Sequence, residues 1–278
     1  MFNFTAMLRV EELHIYPIKS IGGLSVQSAQ VLATGLEHDR LMMLVDGNNR
    51  FLSQREMPAL ALLHPAFDKE GLRIVHKKQP DRSVVIPFRP EGRQTLRVTV
   101  WDDHCEALLF DQSVHDWFSA VLGTSCRLVY LPETTHRLVH DVHAGGADIT
   151  SFSDGFPLLL AGCAALDDLN RRLDEPVPMN RFRPNIVFSG GEPFLEDRLD
   201  SFSIGPVRLR AVKPCARCVI TTINQDNGTS SREPLKTLAA YRTKNNKVMF
   251  GQNLLTSGEG RINVGDELSD LVFHNYSA

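Results

Sequence analysis

Short runs of hydrophobic and β-branched residues recur through the first half of the chain, with polar residues and turn sequences between them. These runs predict strands over residues 9–18, 24–32, 40–45, 72–76, 84–88, 96–100 and 106–110. Turn sequences such as Asp46-Gly47-Asn48-Asn49 and Pro90-Glu91-Gly92 separate them. Many short strands at this spacing are typical of a sandwich or barrel, and they argue against a doubly wound sheet.

One helical pattern follows these strands. Asp111 is the predicted N-cap and Gly123 the predicted stop. The apolar positions between them have helical spacing and are Val114, Trp117, Phe118, Val121 and Leu122. We expect this helix to pack over the end of a first subdomain, with Trp117 and Phe118 in the core.

The second half of the chain mixes strands with short helices. Helices are expected after Leu158-Leu159-Leu160, with Leu166, Leu169 and Leu173 on the apolar face, and over residues 235–241. Strands are expected over residues 127–131, 186–188, 248–255 and 261–268. Pro184 disfavours helical backbone at the residue before it, so we expect Arg183 to be extended. The whole pattern predicts a mainly β fold with a few helices.

The 278 residues are 42% hydrophobic and 23% charged, which is typical of a packed globular protein. A net charge of −3 argues against general nucleic-acid binding. The charge is unevenly distributed, because nine Lys or Arg residues lie between Val207 and Lys247 with only Asp226 and Glu233 to oppose them. This local excess predicts either a site for an anionic ligand or a solvated basic face.

The sequence shows no sign of a leader peptide or a membrane segment. Residues 1–10 lack a basic start followed by a long apolar core, and the longest apolar run, residues 156–166, is too short to span a bilayer. Five unevenly spaced cysteines do not indicate a disulfide framework. We therefore expect a cytoplasmic protein that spans no membrane.

The candidate chemistry centres on Cys215-Ala216-Arg217-Cys218. A thiol beside a cation favours its thiolate, which is both a nucleophile and a soft metal ligand. The apolar, β-branched residues that follow predict a strand with Cys218 at its mouth. Two alternatives interpret the pair as a redox dithiol or as half of a zinc site. A redox dithiol belongs after the first strand of a βαβ unit, and a structural zinc needs two further ligands.

Two other polar clusters are weaker candidates. Three histidines stand at H-x3-H-x2-H spacing, namely His136, His140 and His143. They suggest a zinc site, but the following Gly145-Gly146 favours a loop and argues against it. An acidic cluster consists of Glu192, Glu196 and Asp197. It is a candidate general acid or docking face for a partner, and a solvated loop is the simpler interpretation.

Short motifs spread over nearly the whole chain resemble one known family. They are Tyr16-Pro17-Ile18-Lys19-Ser20, Gly35-Leu36 with Asp39-Arg40, Asn180-Arg181-Phe182-Arg183-Pro184-Asn185, Cys215-Ala216-Arg217-Cys218 with Thr221-Thr222, Glu233-Pro234-Leu235, Phe250-Gly251-Gln252-Asn253 and Val264-Gly265-Asp266. In order and spacing they resemble the MOSC-domain proteins with an N-terminal MOSC β-barrel domain, in the branch of the YcbX-like proteins and the mitochondrial amidoxime-reducing component. The resemblance implies a β-barrel MOSC fold, with an N-terminal β-barrel domain over residues 1–125 packed on a MOSC domain over residues 126–278.

The resemblance also implies a molybdenum cofactor, a pterin with a dithiolene and a terminal phosphate. Cys218 matches the cysteine that completes the sulfur ligands of the metal, and it is the implied catalytic residue. The matching cofactor-binding positions are Lys19, Ser20 and Arg40 at the anionic end, Arg183 and Asn185 beside the pterin, and Gly155 and Phe156 at a backbone contact. The residue types fit, because phosphate is bound by lysine, hydroxyl and forked guanidinium groups. Taken singly, the residues at the anionic end are also typical of a surface turn.

The activity implied by the resemblance is the reduction of N-hydroxylated compounds, N–OH to N–H. Many YcbX-like proteins continue into a ferredoxin domain with clustered cysteines, whereas no cysteine follows Cys218 here. We therefore expect a separate electron donor, either a flavoprotein reductase, a ferredoxin-like protein or a haem protein. The alternative is a non-catalytic carrier of the molybdenum cofactor or of sulfur, since MOSC domains also occur fused to cofactor sulfurases. The family has been linked to pyridoxal phosphate, although no lysine here is distinguished as a Schiff-base former.

Overall fold

The computed structural model describes residues 7–274, and most of its regular structure is strand. The elements up to residue 130 are β1 (Arg9–Ile15), β2 (Leu24–Val26), β3 (Ser28–Leu32), β4 (Gly35–Leu36), β5 (Met42–Val45), β6 (Leu63–Asp68), β7 (Gly71–His76), β8 (Gln79–Ile86), β9 (Thr95–Val100), β10 (Asp103–Leu109), α1 (Gln112–Leu122) and β11 (Arg127–Tyr130). Those that follow are β12 (Arg137–Leu138), β13 (Ile149–Thr150), β14 (Leu158–Gly162), α2 (Cys163–Asn170), β15 (Ile186–Ser189), β16 (Leu199–Ile204), β17 (Val207–Ala216), α3 (Leu235–Tyr241), β18 (Thr243–Lys244), β19 (Lys247–Thr256), β20 (Gly260–Asn263) and β21 (Leu268–Phe273). Short 3-10 helices cover Pro58–Leu62, Met179–Arg181, Leu195–Arg198 and Val219–Thr222. The prediction of a mainly β fold is confirmed.

The largest sheet joins the start of the chain to its second half. Its strand order is β2-β1-β15-β14-β19-β17-β16-β21, with β18 paired to β19. β14 and β15 are parallel, whereas β1 pairs antiparallel with β15 and places Leu13 opposite Ile186. β3 likewise pairs with β20. The first strands are thus built into sheets of the second half, and the division at residues 125 and 126 stays a prediction.

The remaining N-terminal strands form two further sheets covered by α1. Their orders are β5-β11-β10-β9 and β6-β7-β8. Phe118 is fully buried on α1 while Trp117 is partly buried against the same core, as the helical spacing predicts. Gly123 ends the helix in the left-handed region at φ 67°. Asp111 precedes the helix, and its carbonyl rather than its side chain accepts the first N–H groups.

The segment between β1 and β2 passes from one hydrophobic core to the other. Ile15 belongs to the core of the large sheet, whereas Ile18 and Ile21 belong to the core beneath α1. The polar residues Lys19 and Ser20 therefore lie at the junction of the two cores, and both are buried. Burial of apolar neighbours on both sides fixes the position of these polar groups.

Several predicted boundaries were wrong. The run 24–32 forms two strands that are interrupted at Gln27, and the run 261–268 is interrupted by a turn with Gly265 at φ 93°. α2 ends at Asn170, so Leu173 lies beyond its last turn. α3 has the predicted bounds. None of the helices among residues 7–274 combines the length and the apolar composition that crossing a membrane requires.

Candidate active site

A cavity of about 170 Å³ opens where the start of the chain meets the large sheet. All the sequence-predicted site residues line it: Lys19, Ser20, Arg40, Gly155, Phe156, Arg183, Asn185 and Cys218. They come from five separate segments of the sequence, and the fold brings them to one surface. Their roles toward a ligand stay predictions at this point, whereas their proximity is a property of the fold.

Cys218 lies beyond the end of a strand, not at the start of one. β17 pairs with β19 through two register shifts, the second between Pro214 and Ala216, and ends before Arg217. A proline in a strand lacks an N–H donor and is typical of such irregular pairing. The bulged end turns the cysteine motif out of the sheet and toward the cavity.

The strand predicted over the residues after Cys218 is wrong. Residues Val219–Thr222 form a 3-10 helix, and Cys218 is its N-terminal flanking residue. The backbone N–H and the side-chain hydroxyl of Thr221 both donate to the Cys218 carbonyl, at 3.1 and 3.0 Å. The Thr222 hydroxyl donates to the Val219 carbonyl at 2.7 Å. Local bonds from threonine hydroxyls thus replace the sheet pairing that β-branched composition favours.

Arg217 holds the cysteine motif against the rest of the cavity wall. Its guanidinium donates to the Cys215 sulfur at 3.0 Å and to the Phe182 carbonyl at 2.7 Å. Its Nε is buried and has no hydrogen-bond partner among residues 7–274. A buried donor without an acceptor is costly in a folded protein unless a ligand or water supplies one. Arg217 therefore has unused binding capacity at the edge of the cavity.

Lys19 is a buried residue of the cavity lining, and it donates hydrogen bonds to two acceptors. Its Nζ donates to the Phe152 carbonyl at 2.7 Å and to Oδ1 of Asp154 at 2.5 Å. Burial lowers the pKa of Lys19 to about 8, and the Asp154 carboxylate opposes this shift. A buried ammonium group with one carboxylate partner is a binding group for an anion.

A second cation and an indole share the same carboxylate. The Arg55 guanidinium donates to Oδ2 of Asp154 at 3.1 Å, and the Trp101 indole donates to Oδ1 at 3.2 Å. Although burial alone would raise the pKa of Asp154, the charges of Lys19 and Arg55 lower it. Arg55 also interacts electrostatically with Cys218. Asp154 is thus held as a carboxylate between two cavity-lining cations.

The aromatic ring of Tyr16 lies between two guanidinium groups. The guanidinium carbons of Arg40 and Arg183 lie 4.6 and 4.2 Å from the ring centroid. The ring faces attract both cations, and the buried carboxylate of Asp39 also pairs with Arg40. Arg183 donates to the Ile21 carbonyl at 2.7 Å, and burial lowers the pKa of its guanidinium to about 10. A desolvated cation of this kind favours an anionic or strongly polar ligand.

The backbone at three cavity residues is left-handed. Ser20, Arg40 and Arg183 have φ values of 69°, 52° and 55°. Residues other than glycine rarely adopt this region, and its cost is typical of ligand-binding sites. The extended conformation predicted for Arg183 is therefore wrong, because the proline that follows excludes the right-handed helix but permits a left-handed residue. The bend directs the Arg183 side chain back over Tyr16.

Asn185 supports the cavity wall from inside the sheet. Its Oδ1 accepts from Arg40 and from the Leu159 N–H, both at 3.2 Å. Its Nδ2 donates to the His14 carbonyl at 3.2 Å. With its amide engaged in this way, Asn185 holds the Arg40 guanidinium at the cavity surface.

The two remaining predicted residues are in the loop that follows Asp154. Gly155 has no atom within 4 Å of the position that a Cβ would take, so the backbone there is open. The ring of Phe156 packs under the ammonium group of Lys213, 5.1 Å from the ring centroid. These residues form the rim of the cavity.

The excess of basic residues between 207 and 247 contributes little to the cavity. Arg217 lines it, whereas four others pair with carboxylates elsewhere. Those four are Arg210, Lys213, Lys236 and Arg242, which pair with Asp148, Asp141, Glu233 and Asp197. The cations of the cavity come mainly from segments that the charge count did not single out.

Sequence reasoning missed Tyr16, Arg55 and Asp154 as site residues. Tyr16 begins the motif that contains Lys19 and Ser20, and Asp154 precedes Gly155 and Phe156, so both positions carried a weak signal. Arg55 stands in no motif, and only the fold brings it to the cavity. Cys215 also lines the cavity, next to Cys218.

The acidic cluster is not a solvated loop throughout, as the simpler interpretation of the sequence predicts. Glu196 is fully buried and accepts from the Gly162 N–H at 3.2 Å. Its Oε2 has no hydrogen-bond partner among residues 7–274. Burial raises the pKa of Glu196 to about 7. The carboxyl group does not line the cavity.

The three histidines of the second zinc hypothesis lie around β12 and in the loop after it. His140 approaches Asp103, with 3.3 Å between the ring nitrogen and the carboxylate. Across residues 7–274 no three side chains of His, Cys, Asp or Glu are grouped so that they could hold a metal ion.

Two family descriptions match the chain. The MOSC N-terminal beta barrel domain matches residues 7–125, and the MOSC domain matches residues 147–269. The cavity is lined by residues from both ranges.

Several characterised proteins are similar to the chain over most of its length. Mitochondrial amidoxime-reducing component 1 of Mus musculus is 33% identical over 92% of this chain and 80% of that protein. The Homo sapiens protein of the same name is 32% identical over 92% of this chain and 81% of its own length. Molybdenum cofactor sulfurase of Oryza sativa subsp. japonica is 31% identical over 88% of this chain, which spans 32% of that protein.

Proposed function

Because the chain belongs to the family of MOSC-domain proteins with an N-terminal MOSC β-barrel domain, we propose that it is a molybdenum-cofactor oxidoreductase. In this proposal it reduces N-hydroxylated compounds, converting N–OH to N–H. The observation that carries the proposal is the cavity itself, which is lined by cationic side chains and by Cys218 from segments far apart in the sequence. The names of the two amidoxime-reducing relatives support the choice of substrate class.

The residues present fit the chemistry of such a cofactor. Lys19, Ser20 and Arg40, the residues matched to the anionic end, supply an ammonium, a hydroxyl and a guanidinium group to a phosphate. Arg55 adds a second guanidinium group. Within residues 7–274 the Arg183 guanidinium donates to one acceptor, the Ile21 carbonyl, so it has further donors for a ring rich in acceptors. The buried Nε of Arg217 has the same capacity.

Cys218 would hold the metal as a sulfur ligand. A thiolate is a soft ligand suited to a sulfur-rich coordination sphere, and Cys218 stands at the cavity surface. The 3-10 helix that follows it fixes its backbone through the two bonds from Thr221. When bound, the molybdenum centre supplies the two-electron chemistry that removes oxygen from the N–OH group.

The reaction consumes two electrons and two protons and yields water with the N–H product. Asp154 is a poor proton donor at neutral pH, because the charges of Lys19 and Arg55 lower the pKa of its carboxyl group. The proposal therefore takes both protons from solvent at the cavity mouth. The electrons come from a separate protein, either a flavoprotein reductase, a ferredoxin-like protein or a haem protein, in the cytoplasm.

The second candidate function is a non-catalytic carrier of the molybdenum cofactor or of sulfur. Its specific support is the similarity to molybdenum cofactor sulfurase, of which this chain spans about a third. A carrier would use the same cavity to hold the cofactor and would present Cys218 for transfer instead of keeping it as a permanent ligand.

The deciding experiment measures metal content and turnover on the same preparation. Freshly purified protein should contain molybdenum and a fluorescent pterin, and it should reduce a hydroxylamine or amidoxime with an artificial electron donor. Cys218→Ser and Cys218→Ala should lose metal or turnover, whereas Cys105→Ser, outside the cavity, should retain both. Molybdenum without turnover favours the carrier, and a Cys218 variant with full metal and turnover contradicts the assignment of Cys218 as the metal ligand.

A further inference from the structure

Three donors converge on the carboxylate of Asp154 at the mouth of the cavity. Lys19 and Trp101 donate to Oδ1 at 2.5 and 3.2 Å, and Arg55 donates to Oδ2 at 3.1 Å. The Asp154 side chain remains 53% exposed, whereas that of Lys19 is only 5% exposed. A half-exposed anion thus covers a buried cation.

The carboxylate occupies the position that a ligand anion needs. Each of its oxygens bonds to one of the two cations that line this wall of the cavity. Without it, the ammonium group of Lys19 keeps one acceptor, the Phe152 carbonyl. A tetrahedral dianion placed between the same cations would offer equivalent oxygens and twice the charge.

The Asp154 side chain can move without breaking a sheet, although the residues just before it are buried and held by Arg137, which donates to the carbonyls of Ser151 and Ser153. Residues 151–157 are in no helix or strand, and Gly155 has open space where a Cβ would stand. Within residues 7–274, the backbone N–H groups of Asp154 and Gly155 donate to no other backbone carbonyl. The contacts that fix the carboxylate are therefore mainly the three side-chain donors.

We propose that Asp154 is a displaceable counter-ion, which pairs with Lys19 and Arg55 and offsets one of their two charges until the phosphate end of an incoming ligand takes its place. The inference rests on the proposed function in one respect, namely that an anionic cofactor enters this cavity. The ligand class is a phosphate monoester dianion, because two charges offset both cations while a monoanion such as chloride offsets only one. Asp154 thereby favours doubly charged ligands over singly charged ones. In the cofactor-free protein it gives Lys19 and Arg55 a carboxylate partner.

Anion binding to the cofactor-free protein tests the proposal. Removing the competing charge in Asp154→Asn should tighten the binding of inorganic phosphate by about tenfold, measured by calorimetry at constant ionic strength. Asp68→Asn is the matched control, because it changes the net charge equally and removes a carboxylate that pairs with Arg73 on the β6–β7 hairpin. Unchanged or weaker phosphate binding by Asp154→Asn, relative to the parent protein, overturns the proposal.

The fluorescence of Trp101, whose indole donates to Asp154, provides a second readout. This readout does not depend on enzymatic activity. In a Trp117→Phe background, Trp101 is the only tryptophan left in the chain. Phosphate should shift its emission when Asp154 is present and leave it unchanged when Asp154→Asn is added. Phosphate binding without an emission change in the Asp154 protein contradicts displacement. Far-ultraviolet circular dichroism verifies that each variant is folded.

These measurements need neither molybdenum nor turnover. A protein that fails as a reductase can still show displacement of Asp154 by phosphate, and an active reductase can lack it. The failure of this inference is therefore distinguishable from the failure of the proposed function.

Discussion

The hydroxyl of Tyr16 donates a hydrogen bond of 3.0 Å to the carbonyl of Pro184, a residue 168 positions later in the chain. The bond joins the segment that carries Lys19 to the segment that carries Arg183. It also orients the phenol ring whose faces contact the two guanidinium groups. One aromatic residue thus sets the spacing of the cations on this wall of the cavity.

Removing the Tyr16 ring should loosen the cation pair. We expect Tyr16→Leu to lower the free energy of unfolding by about 2 kcal/mol and to reduce the molybdenum retained on purification. Tyr16→Phe keeps the ring and should cost about 1 kcal/mol, the value of one hydrogen bond. Chemical denaturation and metal analysis of both variants test this. Equal metal retention in the parent protein and Tyr16→Leu would contradict a positioning role.

Anion affinity should fall at alkaline pH because of Lys19. Burial lowers the pKa of its ammonium group to about 8, so the charge is present below that pH and is lost above it. Sulfate, whose charge is constant over this range, should bind up to about tenfold more weakly per pH unit above 8. Lys19→Arg keeps its charge to much higher pH and should bind sulfate with little pH dependence. Calorimetric titrations from pH 7 to 9.5 compare the two proteins.

Glu196 should make the protein less stable as the pH rises. Its pKa is about 7 in the folded protein against an ordinary value of 4.5, so the folded state binds the proton more tightly than the unfolded chain does. Stability should therefore fall between pH 4.5 and 7, by about 3 kcal/mol, and stay level above. Denaturant unfolding at a series of pH values measures this.

Glu196→Gln separates this effect from other titrations. The amide remains neutral and still accepts from the Gly162 N–H, so the variant should be more stable than the parent protein at pH 8 and should lack this pH dependence. Glu192→Gln is the control, since its side chain is 55% exposed in the same segment. A pH profile that is identical in Glu196→Gln and the parent protein would show that the Glu196 carboxyl is not the responsible group.

Asn185 should contribute more stability than another asparagine of the same cavity. Asn185→Ala leaves the Leu159 N–H, the His14 carbonyl and one Arg40 donor without their partner, which should cost about 2–3 kcal/mol. Asn253→Ala removes one bond, to the Lys213 carbonyl, and should cost about 1 kcal/mol. Thermal unfolding of the two variants gives the comparison, and the reverse order would refute it.

Hydrophobic patterning predicted most of the strands and the helix α3, because in those elements the apolar residues are the ones whose side chains are buried. It did not predict the 3-10 helix after Cys218, where threonine hydroxyls bond to nearby carbonyls, nor the left-handed backbone of Arg183. It placed Glu196 in solvent, since a single sequence does not show that the 3-10 helix around it packs into a core. Motifs selected the residues that line the cavity, while Arg55 and Asp154 reach it through contacts between distant segments.

The pairing of β1 with β15 has a consequence for the order of assembly. Many contacts around the cavity join the first 55 residues to residues after 150, such as the bond from Arg183 to the Ile21 carbonyl, 162 positions apart. Closing such a loop is slow compared with local folding. A nascent chain that has emerged only as far as residue 180 lacks β15, and β1 then has only its short neighbour β2 to pair with. The cavity can therefore form only late, after the strands of the large sheet have been synthesised.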